Sequence, residues 1–141
     1  MRRQQVSFSA SATALSDRSA IVSAKIRAAV RQSVEQACDL IKEEAQAIVP
    51  VRTGALRDSI GWSVADEDPI IVGTVSATMP YAGYVEWGTG RRGAESPGRG
   101  PYPYTMTWPG MVAQPYMRPA VDTARGEIKG LLVSNVQMAL K

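Results

Sequence analysis

At 141 residues the chain is long enough to bury one core and too short for a cofactor domain beside a substrate domain. The absence of histidine and the single cysteine, Cys38, exclude an internal disulfide and a multi-thiolate metal site, and remove the commonest general base. A net charge of +3 and 21% charged residues give little support to nucleic-acid binding, and 45% hydrophobic residues without an apolar run of about 18 predict a soluble chain with no membrane span.

Residues 1–17 show two arginines, Arg2 and Arg3, with no apolar stretch behind them, so a secretory signal is not expected and an intracellular context is. This segment reads as flexible, ahead of a single domain over 18–141. From Arg18 to Val49 the residues Val22, Ile26, Val30, Val34, Ala37, Ile41, Ala45 and Ile48 recur at steps of four and three, which predicts a long amphipathic helix. Ser16 or Asp17 suits its cap and Pro50 its stop. Such a helix exceeds what a compact domain of this size needs, so part of its stripe is expected to face another subunit. Cys38 lies beside the stripe and reads as core filler.

In VPVRTGALRDSI, Thr53 can accept from the amides of a short helical turn over Gly54 to about Ser59. Two antiparallel strands come next: one with Ile60, Trp62 and Val64, the other IIVGTVSA, joined by the turn chemistry of Asp66-Glu67-Asp68-Pro69. YAGYVEWG is short and broken by glycine; it reads as either a helical turn or a further strand, with a turn into a short strand favoured. Gly88 to Gln114 is dense in glycine and proline, which predicts a long extended loop or arm. Its aromatics Tyr102, Tyr104 and Trp108 gain by burial at an interface, so the arm is expected to dock on something, the alternative being that it folds back over its own domain. A second amphipathic helix begins near Pro119, with Val121, Ala124, Ile128, Leu131 or Leu132, and Asn135 or Val136 on one face, and packs on the first. The fold class is α+β.

Gly88, Gly90 and Gly93 have the spacing of a dinucleotide-binding turn. That turn needs a helix starting within the glycines so that free amides meet the pyrophosphate, and AESPGRGPYPY cannot supply one. No cofactor is therefore expected. Arg91, Arg92 and Arg99, interleaved with Tyr102, Tyr104 and Trp108, leave a small basic nucleic-acid-binding protein as one reading of the segment.

Three ordered blocks point elsewhere. VPVRTGALRDSI carries Arg52, Thr53, Gly54, Leu56, Ser59 and Ile60; YAGYVEWGTG carries Tyr81, Ala82, Val85, Glu86, Gly88 and Thr89; QPYMRPAV carries Gln114, Pro115, Tyr116, Arg118, Pro119 and Ala120. Over residues 20 to 140 the chain resembles the small neck or tail-component proteins of lambdoid-type siphophages, whose blocks read R-T-G-x-L-x-x-S-I, Y-A-x-x-V-E-x-G-T and Q-P-F-x-R-P-A. The length and aromatic content of the segment between Thr89 and Gln114 depart from that pattern. The resemblance implies a non-catalytic α+β virion subunit, assembled in the host bacterial cytoplasm, that forms a sixfold or twelvefold ring at the head–tail junction. Its implied partners are neighbouring neck and tail proteins and phage DNA passing through the lumen without specific binding, with no cofactor, metal or membrane. A tail terminator capping the tail tube is the nearest alternative. Candidate inter-subunit contacts are Arg91, Arg92, Arg99, Tyr102, Tyr104 and Trp108. Gly88 and Thr89 are expected to turn the arm out of the domain, and Glu86 to pair with Arg118 or Arg52.

Overall fold

A computed structural model describes residues 20–98 and 100–141 in full and the backbone of 4–11. Ser16, Asp17 and Arg99 lie outside the described residues. In chain order the elements are β1 (Gln4–Ser11), α1 (Ala20–Ile48), α2 (Ala55–Asp58), β2 (Ile60–Glu67), β3 (Ile70–Ala77), α3 (Ala82–Trp87), α4 (Gly90–Ala94) and α5 (Met117–Ala139). The α+β class and the packing of the last helix on the first are as the periodicity predicts.

The sheet is antiparallel in the order β1-β3-β2. Its hairpin registers Ile60 against Ala77 at one end and Glu67 against Ile70 at the other. Within the segment expected to be flexible, Gln4–Ser11 pairs along the whole of β3. The signal was there: QVSFSA alternates apolar and small polar residues, the period of a strand.

One face of α1 packs on the sheet and on α5. Val30, Val34, Cys38, Ile41 and Ala45 form a single core with Ile60, Ile71, Val75 and Ala77 from the strands and Met117, Ala120 and Ala124 from α5. The stripe is thus covered within the chain from Ile26 to Ala45, which leaves its ends as the part that could face another subunit. Only its ends, Ile21 and Ile48, stand exposed. The sheet lies on one flank and α5 on the other, which gives a 29-residue helix two internal partners.

Polar contacts fix the register of these layers. Asn135 Nδ2 donates to Ser33 Oγ at 3.0 Å and to Gln36 Oε1 at 2.8 Å, while Ser33 Oγ donates to Ala29 O, so the α1–α5 contact contains a satisfied polar bridge. Trp62 Nε1 donates to Asp39 Oδ1 at 2.6 Å and ties β2 to α1. Burial first, and then the nearby Asp39 and Glu35 carboxylates, push the Cys38 thiol up to about 12, which makes it an inert core residue.

Ile41 sits at the centre of this core, 1% exposed. Ile41→Ala is expected to lower stability by about 2–5 kcal/mol in urea unfolding, whereas Val133→Ala on the exposed side of α5 should stay within about 0.5 kcal/mol.

Candidate functional site

Where α5 begins, its first amides need acceptors, because no preceding turn supplies them. They find one side chain. The carboxylate of Glu86, fully buried on α3, accepts from Tyr116 N at 2.7 Å, Met117 N at 2.9 Å and Arg118 N at 3.1 Å. Pro119 has no amide to satisfy, and Ala120 N reaches Tyr116 O. Every donor at this helix start is therefore accounted for. The positive end of the helix dipole further stabilises the buried negative charge.

Arg118 completes the clamp. Its Nε donates to Glu86 Oε1 at 3.0 Å, Nη1 donates to Gly98 O at 3.3 Å, and the guanidinium lies 4.0 Å from the centroid of the Trp87 ring. Of the two cations that the sequence offers to Glu86, the structure brings Arg118 to it; Arg52 stands exposed elsewhere on the same pole.

Glu86 sits on α3, so of the two readings of YAGYVEWG the structure shows the helical turn and not the favoured strand. A six-residue helix is too short to persist alone, and local propensity misses it because its support is tertiary. Its carbonyls are taken one after another: Ala82 O by the Tyr116 hydroxyl, Gly83 O by the Tyr102 hydroxyl, Tyr84 O by Gly88 N, Val85 O by Gln114 N and Trp87 O by the Tyr104 hydroxyl. Burial, reinforced by Tyr104 and Tyr84, pushes the Tyr102 phenol up to about 12, and burial beside Glu86 raises that of Tyr116, so both stay protonated donors at neutral pH.

The same bonds show where the 88–114 segment goes. It is the long loop that its composition predicts, but it folds back on its own domain instead of leaving it. Thr89 and Met111 exchange backbone hydrogen bonds at 2.8 and 3.0 Å, which closes the loop at its base. Gly88 makes this closure possible. Its φ is 75°, and a Cβ there would lie 2.7 Å from Ala113 N, Gly93 Cα and Met111 O. The glycines and prolines supply tight turns within a folded loop, including the five-residue α4.

The three sequence blocks meet at this pole. A cavity of about 550 Å³ is lined by Val51, Arg52, Thr53 and Leu56 from the first block, Tyr81 and Val85 from the second, and Gln114 from the third. Thr53 Oγ1 accepts from Ala55 N at 3.3 Å, as its spacing predicts, and Gly54 turns the chain with a φ of 85°. Tyr81 and Met111 also line a neighbouring cleft of about 860 Å³, bounded by Tyr84, Tyr102, Tyr104 and Trp108. Tyr102 and Tyr104 point inward, their hydroxyls engaged by α3, whereas Trp108 is 52% exposed. Arg91 and Arg92 are exposed beside it on α4, their amides donating to Trp108 O and Pro109 O.

A family model for the bacteriophage HK97-gp10 tail component matches residues 9–88, more than half of the chain. The chain belongs to the HK97-gp10-like family of bacteriophage tail components. The match takes in α1, α2, β2, β3 and α3 and ends at Gly88, so the loop and α5 of this tail component lie beyond the matched span. Neither the curated proteins nor the solved structures gave a match. Among the described residues, no helix is long and apolar enough to cross a membrane.

Two substitutions test the clamp and the loop closure. Glu86→Gln leaves the amides of α5 facing a poorer acceptor and Arg118 without its charge partner; it should cost about 3–5 kcal/mol in urea unfolding, while the exposed Glu95→Gln stays within about 0.5 kcal/mol. Gly88→Ala should speed protease cleavage within residues 95–112 at unchanged helix content by circular dichroism, since the strain falls on the base of the loop.

Proposed function

We propose that this tail component assembles as a closed ring at the phage head–tail junction, a neck or tail-completion subunit that joins filled heads to tails. The observation that supports it is the pole itself. Val51, Tyr81, Tyr84 and Trp108 are exposed together around two adjoining clefts, on a surface held in one shape by a buried ion pair and by capped carbonyls. Clustered exposed apolar groups of this kind suit a protein interface. A rigid one loses little conformational entropy on assembly.

The role is structural rather than catalytic, exercised in the virion beside neighbouring neck and tail proteins. Head-to-tail contacts around a ring close by rotation and leave a passage, through which phage DNA runs without being gripped. The nucleic-acid reading is weaker because Tyr102 and Tyr104, which it needs as stacking platforms, have their hydroxyls held inward on Gly83 O and Trp87 O of α3.

Electron microscopy of particles made without this gene tests the proposal. Filled heads beside complete but unjoined tails are expected. Overlong tails would show a tail terminator instead, and normal particles would refute both.

A further inference from the structure

The aromatic pole has an electrostatic sign. The two clefts share Tyr81 and Met111, and no acidic residue lines either one. Arg52 lines one cleft, while Arg91 and Arg92 follow Gly90 of the other and donate their amides to Trp108 O and Pro109 O; all three side chains are exposed, and among the described residues none has an ion-pair partner. The surface is therefore apolar within and cationic at its rim.

At the opposite end of the sheet, the hairpin tip Asp66-Glu67-Asp68-Pro69-Ile70 has the reverse character. Arg27 pairs with Asp66 and Asp68, yet the Asp68 side chain is 89% exposed and Glu67 has no ion-pair partner among the described residues. Ile70 projects apolar surface from the same turn, 41% exposed. Register places this tip at the far end of β2 and β3 from Ile60 and Ala77, after which the chain enters α3 within a few residues. Eight-residue strands at about 3.3 Å per residue separate the two poles by roughly 25 Å. One molecule cannot bring them together.

We propose that the occupant of the aromatic cleft is the β2–β3 hairpin tip of a second copy of this chain. Pro69 and Ile70 enter between Tyr84 and Trp108, and the carboxylates of Glu67 and Asp68 meet Arg91 and Arg92. The contact joins two different surfaces, so it repeats head to tail, the symmetry class that generates rings. Apolar burial supplies most of the attraction; the charges at the rim fix register and reject the reversed pairing. This inference rests on the ring reading and names its interface.

The test is native mass spectrometry of the full chain. Glu67→Lys with Asp68→Lys reverses the tip, and Arg91→Glu with Arg92→Glu reverses the rim; each pair alone should weaken self-association by roughly a hundredfold, because like charges then face each other. An equimolar mixture of the two variants should assemble again, since each tip then finds an opposite rim. A second readout holds if a variant folds poorly: chains carrying Glu67→Cys and Arg92→Cys, mixed and oxidised, should give a disulfide-linked dimer, with buried Cys38 silent. Wild-type oligomers that survive both reversals and yield no cross-linked dimer overturn the interface and leave the ring standing. A wild-type chain that stays monomeric overturns both.

Discussion

The buried carboxylate of Glu86 is the constraint on which the rest of this pole depends. A charge this deeply desolvated is tolerable only when it is fully hydrogen-bonded and paired. Here three backbone amides and one guanidinium meet the need. The arrangement also solves a second problem, because those amides belong to the start of α5 and have no helical acceptor. One side chain thereby fixes the entry of the C-terminal helix, the position of α3 and, through Arg118 and Gly98, the flank of the intervening loop.

The clamp sets the neighbouring elements in turn. α5 enters at a set angle and lays Ala120 and Ala124 on α1. α3, held from both sides, offers carbonyls at fixed positions, and the loop's tyrosines use them. The loop then has a defined shape, and its outer side carries Trp108 and the two arginines of α4 beside Tyr84 of α3. A loop already folded in the free subunit lowers the entropic cost of docking.

Much of the framework was legible in the sequence. The stepped apolar positions of α1 ending at Pro50, the acidic turn between β2 and β3, and the period of α5 are local signals that the packing obeys. Glu86 and Arg118 could be suspected as partners from their charges alone. α3 was legible only as one of two readings, because its stability comes from hydroxyls and an amide 17 to 34 residues away in sequence. The fold of residues 88–114 was hidden for a related reason: glycine and proline mark turns as well as disorder, and only contacts separate the two. β1 was overlooked although its alternation was visible, since a strand of small polar residues at a chain end resembles a solvated tail.

Amide hydrogen exchange of Tyr116, Met117 and Arg118 tests the central claim most directly. The first amides of a helix ordinarily exchange fast, for want of an acceptor. If Glu86 holds them as described, all three are protected to the level of core amides such as Ile41 and exchange only with global unfolding. Exchange at the rate of a frayed helix end would show that the clamp does not form, and the account of this pole would fall with it.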